Sequence, residues 1–79
     1  METTGREMTY GEKAVGLTFN PSNDPKVQEI KELYAKIIDI LAEEKSKPCT
    51  EQKTSMFDIA IMQAMDAQMW AVKGITYQF

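Results

Sequence analysis

The stretch PKVQEIKELYAKIIDILAEEK, residues 25–45, decides the fold of this chain. Within it Val27, Ile30, Leu33, Tyr34, Ile37, Ile38 and Leu41 recur at three- and four-residue steps, which predicts an α-helix with one apolar stripe. Glu29, Glu32, Lys36, Asp39 and Glu43 fall on the other side, and Glu32 and Lys36 have the spacing of a solvated ion pair. The helix has clear ends. Asn20 to Asp24 are turn and N-cap residues and Pro25 suits the first helical position. Beyond Leu41 the run Glu43-Glu44-Lys45-Ser46-Lys47-Pro48 loses periodicity and meets a proline, so helix one is expected over 25–45.

A second helix is expected over 51–73, with Thr50 as N-cap and Glu51 in the first turn. Gly74 followed by Ile75 reads as a left-handed stop. Met56, Phe57, Ile59, Ile61, Met62, Met65, Met69, Trp70 and Val72 lie on more than one face of this helix, so one helix of the same chain does not cover them all. Ala60, Ala64, Ala67 and Ala71 make a stripe of small side chains that suits close helix approach, within the chain or across a symmetry axis. The linker is short enough for an antiparallel hairpin. Residues 1–21 are polar and glycine-bearing, with Tyr10, Val15, Leu17 and Phe19 as anchors. They read as an N-terminal arm holding one short helical or extended piece that docks on the helices. The expectation is a single all-α domain over 1–79.

With 79 residues the chain buries little surface, and its one cysteine, Cys49, excludes an internal disulfide. It has no histidine, so a structural zinc site is not expected. Self-association is the remaining source of stability, in keeping with a 43% hydrophobic content concentrated in two segments. A formal net charge of −3 argues against binding DNA or long RNA, and any anionic ligand must be small and held locally. There is no signal-peptide pattern and no apolar run of membrane-spanning length, so a cytoplasmic address and no membrane partner are expected.

No glycine-rich phosphate loop, nucleophile elbow or paired metal motif is present. Asp58 and Asp66 read as polar breaks in an apolar helix, not as an acid–base pair, so neither an enzyme nor a cofactor or metal site is expected. Cys49 reads as a loop thiol, and the methionines and Trp70 as packing groups. Two places invite a ligand. At Asn20, Ser22, Asn23 and Asp24 the chain enters a helix start whose N–H groups, dipole and Lys26 ammonium suit a phosphate. The plainer alternative is that Asp24 caps the helix and Lys26 is solvated. Lys26 heads the apolar stripe, which a solvated role explains less well. Tyr10 sits in a polar segment and offers an aromatic face to a nucleobase, or else docks on a helix.

The segments Met8-Thr9-Tyr10-Gly11-Glu12-Lys13-Ala14-Val15-Gly16-Leu17-Thr18-Phe19-Asn20-Pro21-Ser22, Asp24-Pro25-Lys26-Val27 and Ala67-Gln68-Met69-Trp70-Ala71-Val72-Lys73-Gly74-Ile75-Thr76 resemble a family of small phage proteins, the anti-CBASS cyclic-oligonucleotide sponges. Their helical hairpin is shared with an anti-Thoeris sponge. The resemblance implies a homohexamer of helical hairpins that sequesters cyclic nucleotide messengers such as cGAMP, uncleaved, in the host bacterial cytoplasm and so starves immune effectors of their signal. It further implies that Tyr10 stacks on a base and Lys26 lies near the phosphates, with both residues at a site between protomers. Family members that also take cyclic trinucleotides use the Asn-Pro-Ser loop, here Asn20 and Ser22 beside Asn23, with an arginine early in helix two. The chain departs from that pattern. Ser55 stands near the arginine's position and Lys53 is the nearby cation, which does not reproduce a bidentate fork. The alternative function is an oligomeric helical protein that captures a host protein through the Met-rich helix, with no small ligand.

Overall fold

The computed structural model describes residues 7–78, and the first six residues of the arm and Phe79 lie outside the described part. Three helices form: α1 (Tyr10–Val15), α2 (Pro25–Lys45) and α3 (Glu51–Thr76), with no strand among the described residues. The all-helical class agrees with the expectation, and the arm contributes a helix of its own.

α1 is short but fully capped. Thr9 Oγ1 accepts from Glu12 N at 3.1 Å and Glu12 Oε1 accepts from Thr9 N at 2.9 Å, a reciprocal capping box. At the other end Gly16 takes a left-handed conformation at φ 63°, with Leu17 N donating to Glu12 O and Gly16 N to Lys13 O. Leu17, placed just past this stop, is 1% exposed. The arm is therefore part of the core, because Val15 and Leu17 pack with Ala35, Ile38 and Ile61.

Helix α2 has the expected ends. Asp24 caps it by accepting from Lys26 N at 2.8 Å, and Ser46 closes it by donating to the Glu43 carbonyl at 2.6 Å. Its buried side follows the expected stripe in part, since Val27 and Ile38 are buried and Tyr34 and Leu41 pack on the core. Val27, Lys31, Ala35 and Ile38 are buried, whereas Leu33 and Ile37 are 54% and 46% exposed. The apolar residues cover a wider arc than the contact with α1 and α3 uses, and Lys31 takes a place that periodicity alone assigns to an apolar group. The Glu32–Lys36 pair is also replaced. The ion pairs among the described residues are Lys26–Glu29, Lys45–Asp58 and Lys47–Glu44.

α3 is capped by Thr50 as expected but continues past Gly74, which is helical, to Thr76, with Tyr77 as its C-cap. The left-handed stop is corrected for a local reason. Thr76 Oγ1 donates to Val72 O at 2.9 Å and satisfies the last turn, so the chain needs no left-handed glycine there. The end of α2 meets the beginning of α3 through Lys45 and Asp58, 2.6 Å apart. Val27 and Lys31, early in α2, line a hollow with Val72 and Thr76 at the far end of α3.

The Cα positions span 44 × 36 × 12 Å. Two fully stacked helix layers, with axes about 8–10 Å apart, would spread the Cα atoms over roughly 13–15 Å, so at 12 Å the protomer is flat and has no full second layer to cover the remaining apolar groups. Leu33, Ile37 and Ile40 of α2 and Ile59, Met62, Met69 and Trp70 of α3 are left exposed. That agrees with the expectation that α3 has apolar groups its own chain does not cover.

Candidate functional site

The candidate residues divide between the two ends of the layer. At one end the loop before α2 is closed by its own side chains. Ser22 Oγ donates to Asn20 Oδ1 at 2.7 Å, Asp24 N donates to Ser22 Oγ at 3.1 Å, and Asn20 Nδ2 donates to the Asp24 carbonyl at 3.2 Å. Asn23 stands at φ 57°, a left-handed turn position that asparagine tolerates. A hollow of about 330 Å³ opens beside Asn20, Asn23 and Asp24.

The helix start itself holds no vacant donor of the kind the sequence suggests. Asp24 Oδ1 takes the Lys26 N–H, and the Asp24 carbonyl receives the N–H groups of Val27 and Gln28. The Lys26 side chain is exposed and its ammonium pairs with Glu29 at 3.1 Å. Within one chain, then, the capping alternative describes Asp24, and Lys26 is a solvated cation with one weak surface partner.

Lys31 is the residue at this end that sequence reasoning missed. It is 6% exposed, and its Nζ donates to the Gly16 carbonyl at 3.0 Å and to the Phe19 carbonyl, and lies 5.6 Å from the Phe19 ring centroid. Burial without a carboxylate partner among the described residues holds its ammonium below the ordinary lysine range. It joins both ends of the turn between α1 and the Asn20–Asp24 loop to α2. A signal was available, since Lys31 stands four residues after Val27 and four before Ala35.

Tyr10 occupies the other end. It is the first residue of α1, 57% exposed, and lines a hollow of about 340 Å³ with Ala42, Lys45, Ser46 and Ile61. Lys45 Nζ also meets Asp58 Oδ1 at 2.6 Å, which pushes the Lys45 ammonium above its ordinary range, with a smaller contribution from Tyr10. Asp58 is thus an ion-pair partner of α2 and not merely a polar break. Lys53 lies in the first turn of α3 at this same end, its N–H donating to Thr50 Oγ1 at 3.2 Å and its side chain exposed.

Neither predicted pairing meets within one chain. From Lys26 to Ala42, beside Tyr10, is roughly 24 Å of helix axis. The Asn20, Ser22 and Asn23 loop is likewise at the opposite end from Lys53. Elsewhere, Cys49 Sγ is 3.1 Å from Thr54 Oγ1, and Gln68 Oε1 is buried with no hydrogen-bond partner among the described residues. No group of three or more acidic or cysteine side chains is arranged to hold a metal ion among the described residues, and none of their helices is long and apolar enough to cross a membrane. Comparison of the chain with protein-family models, curated proteins and solved structures finds no match.

Proposed function

We propose that the protein is a phage anti-CBASS sponge: a homo-oligomer, hexameric by family resemblance, of antiparallel helical hairpins. It binds cyclic dinucleotides such as cGAMP between protomers in the host cytoplasm and withholds them from immune effectors without cleaving them. One observation carries the reading. Tyr10 and Lys26 are both exposed, yet sit at opposite ends of a flat protomer whose apolar groups lack cover. Two copies packed side by side and antiparallel about a two-fold axis bring the Tyr10 of each to the Lys26 of the other and bury the bare apolar groups together.

The chemistry is that of a binder. An aromatic face stacks on a base, an ammonium meets a phosphate, and the closed Asn20–Asp24 loop adds preorganised polar groups. With no histidine in the chain, the usual general base is missing, so retention of the ligand is the more economical role. Asn20, Ser22, Asn23 and Lys53 form the corresponding candidate for cyclic trinucleotides, again only between copies.

Calorimetry with cyclic di- and trinucleotides tests the reading. Tight dinucleotide binding is expected, reduced at least tenfold by Tyr10→Ala or Lys26→Ala. Heating the loaded protein releases intact ligand. Mixing the two variants restores part of the binding, because a mixed pair retains one complete Tyr10–Lys26 combination. Failure of the mixture to recover binding contradicts an interprotomer site.

A second reading has its own support. Met56, Met62, Met69 and Trp70 are all exposed on α3, a composition suited to a protein partner. Under that reading Tyr10→Ala and Lys26→Ala leave anti-defence activity intact, and Met69→Glu or Trp70→Ala abolishes it.

A further inference from the structure

We infer that Lys45, held by Asp58, determines base specificity in the Tyr10 hollow and selects guanine as the base stacked there. The inference rests on the cyclic-dinucleotide reading and deepens it. Stacking on Tyr10 is tolerant of sequence, because every base presents a π-face, so discrimination must come from the polar wall of the hollow. Ala42 and Ile61 supply apolar wall. Of the polar groups, Ser46 commits its hydroxyl proton to the Glu43 carbonyl at 2.6 Å, which leaves Lys45 as the cationic donor lining the space with Tyr10.

Lys45 has a surface partner that biases where its ammonium sits. Its Nζ is 2.6 Å from Asp58 Oδ1, a contact that ties the last turn of α2 to the beginning of α3. An ammonium has three N–H donors and no acceptor, so one bond to Asp58 leaves donors to spare. The adjacent carboxylate also makes the position nearly neutral. An anionic phosphate there meets much stronger repulsion from Asp58 than a neutral base edge carrying acceptors does.

Guanine is the base that presents two adjacent acceptors, N7 and O6, on one edge. Adenine sets its N6 amino donor beside N7, so a donor-only side chain meets a donor. A lysine facing the stacked base therefore favours guanine. Phosphate recognition stays with Lys26 of the second copy, and the two lysines have separate tasks.

The test is titration of the full-length oligomer with a cyclic dinucleotide of two guanines and with one of two adenines, for wild type, Lys45→Met and Lys45→Arg. Wild type is expected to bind the diguanine ligand about tenfold tighter. Lys45→Met loses that preference by weakening the diguanine ligand alone, and Lys45→Arg, which keeps the donors, retains it. Equal wild-type affinities, or a Lys45→Met variant that weakens both ligands alike, overturn the inference while leaving the sponge reading standing. If neither ligand binds the folded oligomer, the sponge reading itself fails and the inference falls with it. The wild-type comparison decides even if a variant does not fold.

Discussion

The backbone N–H of Gly11 donates to Asp39 Oδ1 at 2.7 Å, and this bond seats α1 on the middle of α2. A side chain at Gly11 has no room, since a Cβ there overlaps the carbonyl oxygen of Ala35 and crowds Asp39. Gly11→Ala is therefore expected to cost at least about 2 kcal/mol, and Asp39→Ala, which strands a buried N–H, about 1–3 kcal/mol. Denaturant melts check both values. An unchanged midpoint for Gly11→Ala contradicts the close seat of α1.

Gly74→Ala has the opposite expectation. The residue is helical and a Cβ there has no neighbour within 4 Å, so alanine removes backbone entropy from the unfolded chain without strain. Stability should rise by about 0.5–1 kcal/mol, a few degrees in Tm for a chain of this size. Destabilisation instead points to a left-handed Gly74 and an earlier end of α3.

Lys31 gives a pH dependence whose sign is fixed by its burial. Its ammonium is held below the ordinary lysine value of 10.5, a value the unfolded chain retains. Between the two values the unfolded state binds more protons, so stability rises with pH through that window. The advantage of wild type over Lys31→Met should accordingly widen as pH is raised toward 10.5, read as a growing Tm difference. Lys45 and Lys47, both pushed up by their carboxylate partners, are common to the two proteins and cancel. A gap that stays constant or narrows contradicts the buried cation.

The bare face of α2 makes a prediction about assembly. Ile37 is 46% exposed within the chain, with Leu33 and Ile40 beside it. A charge at Ile37 costs the single chain little but is buried unpaired if this face joins two copies, so Ile37→Glu should shift the protein toward monomer in sedimentation velocity at unchanged helicity. An oligomer that survives the substitution assigns the contact to other apolar groups, of which those on α3 are the first to test.

Much of the fold was legible where signals are local. Asp24 and Pro25 mark the start of α2, and Thr50 marks the start of α3, each through a cap that needs no tertiary context. The Thr9–Glu12 box and Gly16 also announce α1, but a helix of six residues is too short to show periodicity. What the sequence hid depends on packing. The buried side of α2 follows from where α1 sits, which moves Leu33 and Ile37 outside and draws Lys31 in. Tyr10 and Lys26 were both recognisable as candidates, but the roughly 24 Å between Lys26 and the residues beside Tyr10 emerges only when the helices are laid side by side.

Native mass spectrometry of the full-length protein with a cyclic dinucleotide tests the central proposal most directly, because assembly and ligand retention are read in one spectrum. The account predicts an even-numbered oligomer carrying intact ligand, two molecules for each pair of chains, and loss of that ligand in Tyr10→Ala and Lys26→Ala at unchanged oligomeric mass. A monomer that binds the ligand alone, a ligand-free oligomer, or bound cleavage products would contradict it.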